Sequence, residues 1–169
     1  MNDLISNRIE LITRLIQDLI KTLKIKMGDD LVSVVLYGSY AREQSTPESD
    51  VDLLVVADGL PESSLDRQML ITKILQEIEA PFRQSLPSSS FPYISAISKT
   101  PQEADHISRI YFDMIDEAKI FFDKEGFFES VLRKVEKRLK ELGAKKICVG
   151  KMWYWDLKPN YRAGDIFEL

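Results

Sequence analysis

Asp50 and Asp52 stand two residues apart at the head of an apolar run, Val51 to Ala57. In a β-strand, side chains at i and i+2 leave the same face, so the two carboxylates project together while Val51, Leu53 and Val55 turn the other way. Adjacent carboxylates repel, and a nearby cation relieves that repulsion. Hard oxygen ligands on one face suit Mg²⁺ that is shared with substrate phosphates. Upstream, a second β-branched run (Val32, Val34, Val35, Leu36) stops at Gly38-Ser39, with ten residues between Ser39 and Asp50. Gly38 lets the backbone come close to a phosphate, and Ser39 offers its hydroxyl and amide there at the start of a helical turn. Residues of these types at this spacing suit phosphate chemistry with a divalent cation.

The elements that must position them read as strand, glycine turn, short helical turn, polar loop and second strand over residues 32–56. This order resembles the signature of the DNA polymerase beta nucleotidyltransferase superfamily: Gly-Ser, a spacer, then Asp-x-Asp. Gly38-Ser39-Tyr40-Ala41-Arg42 and Ser49-Asp50-Val51-Asp52-Leu53 are most similar to its minimal nucleotidyltransferase (MNT) family, known from MNT/HEPN toxin–antitoxin pairs. The resemblance implies Asp50 and Asp52 as catalytic and Mg²⁺-binding residues, and Gly38, Ser39, Arg42 and Ser49 as nucleotide-binding residues, with ATP or another NTP as substrate. Arg42 has two readings: a contact to the triphosphate, or an ion pair with Glu48 or Asp50 that ties down the polar loop. Glu43 departs from the minimal group, which often has glycine after the arginine.

A larger departure lies in the third strand. The superfamily generally supplies a third carboxylate from a neighbouring strand, here Phe91 to Ser98, yet no Asp or Glu occurs between Glu79 and Glu103. Ser95 or Tyr93 stands where that acid would be, and a neutral hydroxyl is a weak ligand and no base near neutral pH.

Composition sets the outer bounds. A chain of 169 residues can bury one proper core. Its net charge of −4 argues against nucleic acid as the main ligand. Cys148 is the only cysteine, so neither an intrachain disulfide nor a thiolate metal site is expected. No apolar run approaches the roughly 20 residues that span a bilayer, and the N-terminus lacks a basic-then-apolar signal pattern, so a cytoplasmic protein is expected.

The remaining elements follow from periodicity. Ile5, Ile9, Ile12, Ile16, Leu19 and Leu23 predict a long amphipathic helix ending near Gly28, its face covering the sheet or meeting a partner. A second helix is predicted from Pro61–Ser64 to Ala80, with Pro81 beyond it, and Pro87 to Ser90 reads as a loop. Thr100-Pro101-Gln102-Glu103 is a capping box that opens a helix through Ala118 until Gly126 breaks it. Phe128 to Leu142 forms another, ending at Gly143. His106, the only histidine, follows Asp105 on a capped helix, which argues against a histidine dyad or zinc cluster. In the tail, Trp153, Trp155 and Leu157 alternate with polar residues as in an extended arm, with turns at Pro159-Asn160 and Ala163-Gly164-Asp165. That arm either offers an aromatic surface to a base or partner, or folds back on the helices; the latter is expected.

Together these predict an α/β (α+β) fold. The resemblance implies a small twisted mixed sheet with helices on one side and the metal site on the opposite face, followed by C-terminal helices and the aromatic arm. Residues 1–123 make the nucleotidyltransferase domain and 124–169 a helix and arm packed on the same core. Two functions compete. One is an enzyme moving an NMP, AMP foremost, from an NTP to a hydroxyl acceptor, with a HEPN-type toxin among the acceptors. The other is a catalytically impaired nucleotide-binding or contact-only antitoxin module, which the missing acid favours.

Overall fold

The computed structural model describes residues 2–85, 91–150 and 152–162, with the side chains of residues 2–7, 85 and 152 left aside. The expected loop at Pro87 to Ser90 and turn at Ala163 to Asp165 lie outside the described residues. The elements run α1 (Asn2–Met27), β1 (Leu31–Tyr37), α2 (Gly38–Ala41), β2 (Val51–Ala57), α3 (Ser64–Ser85), β3 (Ile94–Lys99), α4 (Pro101–Asp105), α5 (Tyr111–Glu117), β4 (Lys119–Asp123), α6 (Phe127–Leu142), β5 (Lys145–Val149) and β6 (Met152–Asp156).

Four strands form one mixed sheet in the order β3-β2-β1-β4. β1 and β2 are antiparallel across the polar loop, β3 returns parallel to β2 through the α3 crossover, and β4 pairs antiparallel with the other edge of β1. The β-branched runs at the centre are buried on both faces, as continuous apolar strands must be.

Each face has its own core. Val34, Leu36, Val51, Leu53 and Val55 pack with Ile12, Leu15, Ile16, Leu19 and Leu23 of α1 and Ile71, Ile74 and Leu75 of α3. Burying one such aliphatic side chain contributes about 1.5–3 kcal/mol, which is why the broad stripe of α1 seats on the sheet. The opposite face carries Val32, Val35, Leu54 and Val56, packed with Tyr111, Phe112 and Met114 of α5 and Phe128, Val131, Val135 and Leu139 of α6. The expected single layer of helices is thus α1 and α3, while the C-terminal helices cover much of the other face. Asp52, two residues before Leu54 in β2, lies on that second face and is partly buried.

Three elements differ from the periodicity. The helix opened by Thr100 has the full capping box, Thr100 Oγ1 accepting from the Glu103 amide at 3.2 Å, but it stops at Asp105 and resumes only at Tyr111. Residues 119–123 form the strand β4 rather than the end of that helix. A short apolar run is ambiguous locally, and here the free edge of β1 decides it. α3 runs through Pro81 to Ser85, and Phe82 packs against the first core, so tertiary contact carries the helix past the expected stop.

The tail forms a two-stranded hairpin, β5 with β6, in which Lys146 faces Trp155 and Cys148 faces Trp153. These four residues share one hairpin face. Trp155 meets Phe112 edge-on at 6.3 Å and joins the second core, as expected of an arm folded back on the helices. No helix among the described residues is long and apolar enough to cross a membrane.

Candidate functional site

The turn after β1 and the start of β2 meet because the two strands pair with Tyr37 opposite Asp52. Gly38 has φ +74°, a conformation that favours glycine, and a Cβ built on it would overlap the Asp52 carboxylate. The short helix α2 then places Arg42, whose amide donates to the Gly38 carbonyl at 3.2 Å. The Ser39 carbonyl accepts from the Gln44 amide at 3.0 Å, closing the same turn.

Asp52 is partly buried and Asp50 is exposed. Burial pushes the Asp52 carboxyl above its ordinary value, the Asp50 charge adds to the rise, and Arg42 opposes it. Burial, with Asp52 adding to it, raises the neighbouring Tyr37 phenol to about 12. The carboxylate pair is therefore held against its own repulsion. Asp50 and Asp52 are the hard oxygen donors that would hold a divalent cation here.

Ser95 is the register partner of Asp52 across the parallel β2–β3 pair, so the two side chains leave the same face on neighbouring strands. Tyr93 lies two residues earlier and is exposed. Among the described residues no group of three His, Cys, Asp or Glu is placed to hold a metal ion.

Ser49 is not drawn into this group by any hydrogen bond: its Oγ accepts from the Thr46 amide at 2.8 Å and its own amide donates to the Thr46 carbonyl at 3.0 Å, bracing the polar loop. Arg42 pairs with neither Glu48 nor Asp50. Its Nη1 reaches Glu117 Oε2 at 3.4 Å, and its guanidinium lies 5.0 Å from the Trp153 ring centroid. The loop-tying ion pair gives way because α2 turns Arg42 toward α5, a helix remote in sequence. Glu43 adopts φ +59°, which explains why a glycine suits this position, and Lys119 at 2.8 Å lowers its carboxyl pKa.

Periodicity did not single out Asp113 and Glu117 of α5. With Tyr37, Gly38, Arg42, Ile110, Met114 and Ala118 they line a cleft of about 210 Å³ beside the turn. Asp113 Oδ1 accepts from both indoles, Trp153 Nε1 at 2.9 Å and Trp155 Nε1 at 3.3 Å. Their i, i+4 spacing, which puts two acids on one helix face, was the available signal. The arm thus packs on the helices and also brings Trp153 against Arg42, closer to the turn than expected.

Residues 16–149 match the family model described as a nucleotidyltransferase domain. The chain belongs to that family. It is 29% identical over 146 residues to "Putative protein adenylyltransferase MJ1305" of Methanocaldococcus jannaschii, an alignment covering 85% of this chain and 94% of the relative. A second protein of that organism, "Putative protein adenylyltransferase MJ0604", is 42% identical over 43 residues, 25% of this chain and 43% of its own. Among solved structures, a toxin–antitoxin with AMP-PNP aligns at TM-score 0.48 and 15% identity, over 75% of this chain and 91% of its own. The toxin–antitoxin MntA-HepT aligns at 0.47 and 13%, over 77% and 88%. The family assignment rests on the sequence match.

Proposed function

We propose that this nucleotidyltransferase transfers an NMP, AMP foremost, from an NTP to a hydroxyl on a protein acceptor. The observation that carries the reading is the Asp52 carboxylate pressed against the side-chain-free Gly38, with Asp50, one residue ahead of β2, near enough for its charge to raise the Asp52 pKa. Asp50 and Asp52 hold Mg²⁺ in this reading, and the bound ion supplies charge neutralisation at the phosphates. Gly38 and Ser39 leave room for the phosphates at the turn. Arg42 meets the triphosphate. Its Nε is buried without a hydrogen-bond partner and its bond to Glu117 is long for a charge-assisted pair, so its guanidinium is under-satisfied in the free protein. Ser49 acts by bracing the loop that presents Asp50.

In the reaction the acceptor oxygen bonds to the α-phosphorus, the bond from that phosphorus to the α–β bridging oxygen breaks, and pyrophosphate leaves. The hydroxyl proton passes to solvent or to the pyrophosphate, since Ser95 is no base. A protein acceptor agrees with the names of the archaeal relatives, and the minimal-family resemblance points to a HEPN-type toxin. An NTP-using enzyme of this kind works in the cytoplasm.

Calorimetry with ATP tests the reading. Binding should require Mg²⁺ and disappear in Asp50→Asn/Asp52→Asn, and labelled AMP should appear on the acceptor only with the intact pair. Equal ATP affinity with and without metal overturns it. The second reading, a nucleotide-binding module without catalysis, is favoured by the neutral Ser95 beside Asp52; Mg²⁺-dependent binding with no AMP transfer would select it.

A further inference from the structure

Beyond the turn, two cations from distant parts of the chain meet over one aromatic ring. Arg42 lies 5.0 Å and Lys146 5.1 Å from the Trp153 ring centroid. The same two cations divide the carboxylate of Glu117 between them: Oε2 is 3.4 Å from Arg42 Nη1 and Oε1 is 3.1 Å from Lys146 Nζ. All three side chains are largely shielded, at 21%, 24% and 22% exposure. Asp116 stands farther from Lys146, at 3.9 Å. One carboxylate here spans two cations through separate oxygens, and a phosphate group divides its oxygens between cations in the same way. The Arg42 amide donates to the Gly38 carbonyl, so the Arg42 backbone is held at the turn. The cleft that contains Gly38 also contains Arg42 and Glu117.

We propose that Arg42 and Lys146 form the subsite for the β- and γ-phosphates, with Glu117 occupying it in the free protein, an inference that rests on the nucleotidyltransferase reading above. The C-terminal hairpin then completes the nucleotide site instead of only covering the helices. Trp153 positions both cations through its π face and is itself anchored by Asp113. Entry of the polyphosphate exchanges one long Arg42–Glu117 bond for several phosphate contacts, and the buried Arg42 Nε gains an acceptor. AMP, which ends at the α-phosphate, does not reach the subsite.

The test compares ATP, tripolyphosphate and AMP by calorimetry with Mg²⁺ on the full chain. Lys146→Met should weaken ATP and tripolyphosphate about tenfold, the worth of one hydrogen bond between charged groups, and leave AMP unchanged. Lys146→Arg should restore most of the loss. Glu117→Gln, which removes the competing charge and no cation, should tighten ATP and tripolyphosphate without affecting AMP. Unchanged ATP affinity in Lys146→Met, or equal weakening of ATP and AMP, overturns the subsite. Should Lys146→Met fail to fold, Glu117→Gln decides, and unchanged or weaker ATP binding overturns the proposal. Absence of Mg²⁺-dependent ATP binding in the wild-type chain is a different failure, that of the nucleotidyltransferase reading itself.

Discussion

The Asp52 carboxylate fills the space that a Cβ on Gly38 would need, so the glycine and the acid are fitted to one another. Gly38→Ala meets two penalties at once. The backbone at φ +74° costs roughly 1–2 kcal/mol for a residue with a Cβ. The methyl also displaces the carboxylate. The variant should unfold at lower denaturant and lose Mg²⁺-dependent ATP binding, and Gly38→Ala/Asp52→Gly should recover part of the stability but none of the binding. Wild-type ATP affinity in Gly38→Ala would contradict the close packing of this pair.

The raised pKa of Asp52 has a stability consequence with a definite sign. The folded state binds the Asp52 proton more tightly than the unfolded state, so this group favours folding when protonated. That contribution is fully present below the unfolded carboxyl pKa and is lost as pH rises through the higher folded value. Asp52→Asn should therefore raise the melting temperature of the metal-free protein at pH 7 and change it little at pH 3. A lower melting temperature for the variant at pH 7 would show that Asp52 is stabilising there.

Ser95→Asp would set a third carboxylate beside Asp52 on the adjacent strand, about 4.8 Å away in the hydrogen-bonding direction. Without metal the new charge should lower the melting temperature and push the Asp52 pKa higher still. With Mg²⁺ it should tighten metal binding several-fold in calorimetry, because three carboxylates replace two. A melting temperature insensitive to the substitution and an unchanged Mg²⁺ affinity would turn Ser95 away from the site.

Asp113 joins the two indoles of the hairpin to α5 through one oxygen. Asp113→Ala leaves two partly buried N–H donors unpaired, at about 1–3 kcal/mol each at most. It should lower the melting temperature and shift tryptophan emission to the red. Asp113→Asn keeps an acceptor oxygen and should restore much of both. Identical emission in wild type and Asp113→Ala would place the hairpin's anchorage elsewhere.

The candidate site around Gly38 and Asp52 was legible because its residues are local in sequence. Gly38-Ser39 and Asp50-Val51-Asp52 lie at the ends of two strands joined by one polar loop, so a period of two and a glycine turn suffice to bring them together. The long helices were legible for the same reason, since a stripe of apolar residues and a terminal glycine are written along one segment. Ser95 beside Asp52 also followed from alternation, once the crossover helix made β3 the neighbour of β2.

What only the tertiary structure decided depends on partners far apart in the chain. Residues 119–123 become a strand because β1 offers an open edge some 85 residues earlier, not because of their own pattern. Arg42 faces Glu117 and Trp153 instead of its loop because α5 and the hairpin arrive from 75 and more than 100 positions away. The apolar face of α6 was plain in the sequence, but not that it would cover the same side of the sheet as Asp52. Hydrophobic burial is non-directional, so it commits a segment to being buried without naming the surface that buries it. Pairing of charges across such surfaces is settled last, after packing has set which helix stands beside the turn.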